Sequence, residues 1–342
     1  MSVIATLASA ILLAATPLSE VRVVPDTSAT LGTATVNDED AAADNFSTVT
    51  LLGLGGIPPE TAVDAYAVRP AGAQLLSFET TVVLPGGATG RPGDVWRYEG
   101  GSYAVELDAA ARGIPANANL DALALSAGSL LLSFDVSFDI GAAHFEPEDL
   151  IQFDGTTFTM FLDGSAAGVA PGLDLDGADY LACNGHLLLS FDGSGSIGGV
   201  AFDDEDVLEF DRVSTWQMSY DGSAEHAAWD AADLVGLSAS VNFGPGPPAP
   251  FTQKVTVDAN KTTFRWPSAT AFREVRGAFV SSPNLGTYAV NATMMGNANT
   301  FTDAATPAAG TGYWYLVKAG GCAPASWQST LGSEAGRDAT IP

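Results

Sequence analysis

Leu130-Leu131-Leu132-Ser133-Phe134-Asp135 recurs as Leu187-Leu188-Leu189-Ser190-Phe191-Asp192, with a close variant at Leu75-Leu76-Ser77-Phe78-Glu79. A worn copy, Val21-Arg22-Val23-Val24-Pro25-Asp26, stands near the start. An aspartate-led apolar phrase precedes three of these copies, at Asp64-Ala65-Tyr66-Ala67, Asp121-Ala122-Leu123-Ala124 and Asp179-Tyr180-Leu181-Ala182. The first copy lacks it, and Asp233-Leu234-Val235-Gly236 follows the last copy instead. The missing piece of the first repeat sits after the final one.

Each repeat holds four apolar segments of strand length separated by turn residues. The clearest runs through Asp121–Leu125, Leu130–Asp135, Asp149–Asp154 and Thr157–Leu162, and ends on Asp163-Gly164-Ser165. β-branched and aromatic content, period-two stretches and Gly-rich turns mark these as strands. Three landmarks keep one period. Asp40, Asp94, Asp149 and Asp206 are 54, 55 and 57 residues apart. Asp26, Glu79, Asp135 and Asp192 are 53, 56 and 57 apart, and Asp64, Asp121, Asp179 and Asp233 are 57, 58 and 54 apart. A period of this length signals a solenoid, a propeller or an array. Four strands per unit suit a propeller blade, and the offset predicts circular closure, with Val21–Asp26 beside Asp233–Leu237. The expected class is all-β: a four-bladed β-propeller-like repeat domain over 19–243, a Gly/Pro linker at 244–250 and a β-sandwich over 251–342. A β-sandwich or open array for the repeats is the competing arrangement.

The phrases Asp-Ala-Leu-Ala, Leu-Leu-Leu-Ser-Phe-Asp and Asp204-Glu-Asp-Val-Leu-Glu-Phe-Asp211 resemble acid-rich propeller-like repeats of bacterial secreted and surface proteins. The resemblance spans about residues 20–243 and transfers no catalytic residue. In the tail, Thr262–Trp266 and Tyr313–Val317 resemble a fibronectin type III-like domain, with Tyr315 in the place of a tyrosine corner. Residues 251–342 read as about seven short strands, among them Phe272–Arg276 and Asn299–Thr302, and the resemblance implies a spacer or adhesion module.

Charge is divided along the chain. Forty acidic and 13 basic side chains give a net charge of −27. Seven of the basic residues and five of the acidic ones lie from Thr252 on, so the body carries about −29 and the tail about +2. A field of that sign repels nucleic acid and anionic membrane. It suits an acidic surface or cation binding. Residues Met1–Ala15 form an apolar run resembling the core of a secretory signal, although no Lys or Arg precedes it. We therefore expect 1–18 to be signal-like, the protein to be secreted or at the cell surface, and no stable transmembrane anchor. A buried apolar N-terminal strand is the alternative. Cys183 and Cys322 form no metal or redox motif and read as free, buried thiols, with a disulfide as the alternative.

Acids open and close the third strand of each repeat, as in Asp149/Asp154, Asp206/Asp211 and Asp94/Glu99, with Asn45 in the last place of the first repeat. Acids at strand ends can accept backbone N–H bonds in turns, which explains them without a ligand. The ligand reading is Ca²⁺, which takes ~6–8 oxygens from carboxylates and carbonyls. Its candidates are Asp38 and Asp40, Glu148 and Asp149, Asp204 and Asp206, and the alternating Asp174, Asp176 and Asp179. His144, His186 and His226 fall at unlike points of the repeat, and no metalloprotease or serine-hydrolase motif occurs. Trp96, Tyr103, Trp216 and Trp229 serve blade packing or sugar stacking. The expected role is a non-enzymatic binding or structural protein, calcium-stabilised, with a cell-surface glycan, a protein or a second copy as partner. The runner-up is a carbohydrate-active hydrolase using paired carboxylates, and a third reading is a self-assembling surface or filament subunit.

Overall fold

The computed structural model describes residues 15–59, 61–241, 249–250, 255–260, 262–280, 290–309, 311–319 and 325–326. Most of the signal-like run, most of the 244–250 linker and Cys322 lie outside them. The chain divides into two compact units, Met1–Asp179 with Leu187–Ala239, and Tyr180–His186 with Ser240–Pro342.

Four antiparallel four-stranded sheets repeat along the first part of the chain. The second sheet runs Val63–Val68, Gln74–Phe78, Val95–Glu99, Ser102–Leu107. The third runs Leu120–Ser126, Ser129–Phe134, Leu150–Phe153, Phe158–Leu162, and the fourth Leu175–Leu181, His186–Phe191, Val207–Phe210, Trp216–Tyr220. The first sheet is built from both ends of this stretch. Its edge strand is Leu234–Val241, followed by Leu18–Pro25, Ala41–Asp44 and Val49–Leu52. Val21–Asp26 and Asp233–Leu237 are thus neighbours, as the offset of the repeat requires.

One hydrogen-bond device marks this junction as equivalent to those within the other sheets. The acid ending each second strand donates its N–H to the residue before the edge strand: Asp135 to Asn119 O, Asp192 to Asp174 O, Glu79 to Ala62 O and Asp26 to Asp233 O, at 3.0–3.2 Å. Three of these acids return the favour through Oδ1, accepting from the N–H of Asn119, Asp174 and Asp233 at 2.7–2.8 Å. Ser77, Ser133 and Ser190, fully buried beside these acids, donate to the carbonyls of Pro92, Pro147 and Leu234. A polar residue inside an apolar phrase is thereby satisfied by backbone.

Successive sheets touch in order. Val63 N–H donates to Asp38 O, Leu120 N–H to Pro92 O and Leu175 N–H to Pro147 O, linking second to first, third to second and fourth to third. The fourth meets the first through Tyr220, whose hydroxyl donates to Asp44 Oδ2 at 3.2 Å. At the edge strands a Cβ on Gly177 would lie 3.0 Å from the Leu237 Cβ, and one on Gly236 would lie 2.8 Å from Val24. Side chains of any size there would force the strands apart. Cores of Leu, Val and Phe fill the sheet contacts, one from the second and third sheets and one from the first and second. Trp96 is buried in the second of these cores, Trp216 and Trp229 are buried as well, and Trp216 stacks on Phe210 at 4.4 Å, so packing accounts for these rings.

Sequence periodicity missed a fifth element. Each loop between second and third strands carries a small hairpin: Ala29–Leu31 with Ala34–Val36, Val82–Val83 with Thr89–Gly90, Phe138–Ile140 with Ala143–Phe145, and Gly195–Ile197 with Val200–Phe202. Among the described residues the helices of this region are single turns. Asp163 and Asp221 cap two of them, accepting from Ala166 and Ala224 N–H.

In the second unit, Thr256–Val257, Thr263–Val280, Val290–Thr302 and Thr311–Ala319 form an antiparallel sheet, and Ala249–Pro250 pairs in parallel with Ala325–Ser326. The expected strands at Thr262–Trp266 and Phe272–Arg276 are one 18-residue strand, whose register shifts between Arg265 and Thr270. That interval contains Pro267, which cannot donate to a ladder. Phe264, Trp266 and Phe301 form the local core, with Tyr315 packed on it. Tyr315 donates to the Asp303 carboxylate rather than to backbone. The free-thiol expectation is corrected: Cys183 is disulfide-bonded. The chain's other cysteine is Cys322.

Candidate functional site

The acids of the repeat separate into two sets with different surroundings. The first set brackets the third strands. Asp149 Oδ2 accepts from Glu146 N–H and Oδ1 from Gly164 N–H, both at 3.0 Å. Asp206 does the same with Asp203 and Gly222 N–H, and Asp94 with Arg91 and Ala109 N–H. Asp40 accepts from Asn37 N–H at 3.2 Å. Gly164 is required for this approach, since a Cβ there would fall 2.0 Å from Glu148 O. At the other end, Asp154 Oδ1 accepts from Thr156 and Thr157 N–H, Asp211 Oδ1 from Val213, Ser214 and Thr215 N–H, and Asn45 Oδ1 from Ser47 and Thr48 N–H. Backbone donors hold Asp154 and Asp211 below the usual carboxylate range.

The second set lies on the edge strands. Asp64, Asp121 and Asp176 are each the second residue of their strand, and Val235 takes this place in Leu234–Val241. This corrects the spacing argument, which set Asp179 beside Asp64 and Asp121. Asn119, Asp174 and Asp233 make the same bond to the second-strand acid, so Asp176, two residues past Asp174, is the counterpart of Asp121. Three aspartates stand within six residues there, and loop lengths that vary between repeats leave periodicity unable to choose. Asp179 instead accepts from Ala239 N–H at 2.7 Å.

Burial is the main influence on Asp64, Asp121, Asp174, Asp176 and Asp233. It pushes Asp64, Asp174 and Asp233 up to about 7, Asp176 to about 10 and Asp121 to about 11. The other charges acting on them are mainly carboxylates: Asp121 feels Asp64, Asp174, Asp135 and Asp176, and Asp176 feels Asp233, Asp174 and Asp192. Asp64 bonds to Asp121 and Asp176 to Asp233. Asn119 Nδ2 donates to Asp64 Oδ2. Three buried oxygens of this cluster have no hydrogen-bond partner among the described residues: Asn119 Oδ1, Asp121 Oδ2 and Asp233 Oδ1. All three are acceptors, and Asp121 is only 7% exposed. Three buried acceptor oxygens that meet no donor among the described residues fit a cation.

The Ca²⁺ candidates are thus dispersed. Asp40, Asp149 and Asp206 spend carboxylate oxygens on backbone, while Glu39 and Glu205 are pushed up mainly by burial and bond to Asp38 and Asp204. Glu148 is buried beside Gly164. Asp174 and Asp176 belong to the edge-strand cluster. Among the described residues no three His, Cys, Asp or Glu side chains form a ready-made metal cage. The edge-strand cluster offers carboxylates plus an amide oxygen. Sequence reasoning used Asp64, Asp121 and Asp233 only as landmarks; an acid recurring on an otherwise apolar strand was the signal that could have promoted them.

Two histidines sit in carboxylate pairs. His226 Nε2 lies 2.9 Å from Asp44 Oδ2, and Asp44 is fully buried. Exposed His144 bridges Asp139 and Glu146 at 2.7 and 2.8 Å.

The chain matches no protein-family profile and no curated protein. Among solved structures it is similar to YCF48 from Cyanidioschyzon merolae, at 9% identity over 55% of this chain and 56% of that one, TM-score 0.27. It is similar to a protein of unknown function from Bacteroides caccae, at 9% identity over 73% and 82%, TM-score 0.29. A third is the extracellular domain of BT4673 from B. thetaiotaomicron, at 7% identity over 76% and 45%, TM-score 0.33. The match covers little more than half the length of the YCF48 chains. Likeness at this level carries no argument about function, and the fold rests on the sheets themselves. No helix among the described residues is long and apolar enough to cross a membrane.

Proposed function

We propose a secreted or cell-surface binding or structural protein: a four-bladed propeller-like ring joined to a fibronectin type III-like sandwich, with a calcium-class cation where the edge strands meet. Support for the ring comes from the order of contacts, first to second, second to third, third to fourth and fourth to first. Its role is non-catalytic, and the partner of its loops is a surface glycan or a protein. The observation that carries the cation is Asp121, buried among carboxylates with one oxygen that has no hydrogen-bond partner among the described residues. Asp64, Asp121 and Asn119 Oδ1 would supply the protein ligands and water the rest of the ~6–8 oxygens.

Melting in millimolar Ca²⁺ and in chelator tests this. A ligand present at 100-fold its dissociation constant stabilises by about 2.7 kcal/mol, so the melting temperature rises clearly with Ca²⁺. Asp121→Asn removes the rise and leaves the chelated protein nearly unchanged. No rise in the wild type overturns calcium. A rise that survives Asp121→Asn moves the site to the acid-rich loops.

A further inference from the structure

The small hairpins of the third and fourth repeats share one register but not one content. In the third, Phe138 pairs with Phe145 and Asp139 with His144; in the fourth, Gly195 pairs with Phe202 and Ser196 with Ala201. The residue after each hairpin, Glu146 or Asp203, donates its N–H to the next buried aspartate, Asp149 or Asp206, which fixes the alignment. Gly195 and Ala201 thus stand where the third repeat has Phe138 and His144. The first two repeats hold Ala29 with Thr35 and Val82 with Thr89 there, so the fourth has the smallest pair. The lost side chains leave a space. Phe138 lies between Phe134 and Phe145, at 5.2 and 5.8 Å, whereas Phe191 and Phe202 meet directly at 5.2 Å. A cavity of about 500 Å³ opens here, lined by Gly195, Ala201, Phe202, Asp203, Met218 and Asp221. That volume suits a side chain or a small molecule.

The third repeat fills this place with its own cationic ring. His144 bridges Asp139 and Glu146, and its bonds to these acids raise the imidazole above its ordinary value. The fourth repeat keeps an acid, Asp203, where the third has Glu146, and puts Ala201 where the imidazole would be. Asp203 and Asp221 are exposed, and among the described residues neither is ion-paired. Asp206, also on the wall, spends both oxygens on backbone. Two carboxylates over a floor of Phe202 and Met218 suit a charged head on an apolar stem. We propose that this cavity binds an Arg or Lys side chain of a protein partner, its stem over Phe202 and Met218 and its head at Asp203 and Asp221. The inference deepens the binding reading and rests on it, because it makes a basic protein segment the partner of these loops. A net charge of −27 steers such a segment toward the surface.

The methyl resonance of Met218 reports on the cavity, and its shift during titration of the full chain is the test. The probes are N-acetyl-arginine methylamide and N-acetyl-lysine methylamide, with N-acetyl-citrulline methylamide as the uncharged control. A charged probe shifts the signal, and the control binds about tenfold more weakly or not at all. Asp203→Asn weakens the charged probe about tenfold. Ala201→His, which restores the third repeat's imidazole on an exposed position, abolishes its binding, and both variants melt as the wild type does. No shift with either charged probe, or a shift untouched by both substitutions, overturns the proposal. Binding of butylguanidine but of neither blocked residue makes the ligand a free small cation and overturns the protein partner. Capture by a glycan array while both charged probes fail overturns the cavity and leaves the binding reading standing. Silence on glycan and peptide arrays alike overturns the binding reading itself.

Discussion

Asp149 and Asp121 belong to the same sheet, are 5% and 7% exposed, and differ in almost everything that burial implies. Asp149 meets two backbone N–H groups and spans a turn and the start of a one-turn helix. Asp121 meets other carboxylates, and its Oδ2 has no partner among the described residues. Both are raised by burial, but backbone donors oppose the rise at Asp149 while neighbouring charges add to it at Asp121. An acid with amide donors is a structural brace. An acid without them waits for a proton or a cation. The same residue type, at the same exposure, thus performs opposite tasks because of the groups its neighbours present.

The comparison breaks most readily by removing each acid. Asp149→Ala leaves the N–H groups of Glu146 and Gly164 without their acceptor, and bonds to a charged acceptor are worth ~1.5–3 kcal/mol each. We expect a loss of about 3 kcal/mol in urea unfolding, against less than about 1 kcal/mol for Asp121→Asn in chelator. Equal losses would erase the distinction.

A smaller effect follows from pH. Asp64, Asp174 and Asp233 have folded values near 7, above their unfolded ones. Their contribution is complete below pH 4 and is lost as pH rises through 7, with Asp176 and Asp121 extending the loss toward 10–11. Chelated protein therefore melts lower at pH 8 than at pH 5, by about 2–4 °C for each kcal/mol lost. Asp154 and Asp211 have depressed values, so their contribution is present above pH 4 and is lost only in stronger acid. A melting temperature that climbs between pH 5 and 8 in chelator would contradict the edge-strand cluster.

The smallest effect touches neither set of acids. Ala127 has φ 48° in the turn between two strands of the third sheet. A left-handed residue with a Cβ costs ~1–2 kcal/mol, partly offset by the entropy that Gly loses on folding. Ala127→Gly should stabilise the protein by about 0.5 kcal/mol, with an unchanged response to Ca²⁺ and pH.

Much of this architecture is legible in the residues. Leu-Leu-Ser-Phe-Asp names the second strand, and the Asp or Glu that ends it binds the chain just before the edge strand. The displaced Asp233 phrase announced that Leu234–Val241 would join the first sheet. The edge-strand site was less legible. Asp174, Asp176 and Asp179 are alternatives that spacing cannot rank, and only the bond from Asp174 N–H to Asp192 identifies Asp176 as the counterpart of Asp121. Cys183 read as a buried thiol because two cysteines 139 residues apart give no pattern.

The sequence by itself determined the four main strands of each repeat, their four-fold recurrence and the exchange between the two ends of the repeat region, because these follow from local periodicity and turn chemistry. Tertiary structure decided the fate of each acid. Whether a carboxylate becomes a brace or a member of a carboxylate cluster depends on which donors and charges approach from residues tens of positions away. Asp149 and Asp121 look alike in the sequence. Backbone amides and other carboxylates make them different.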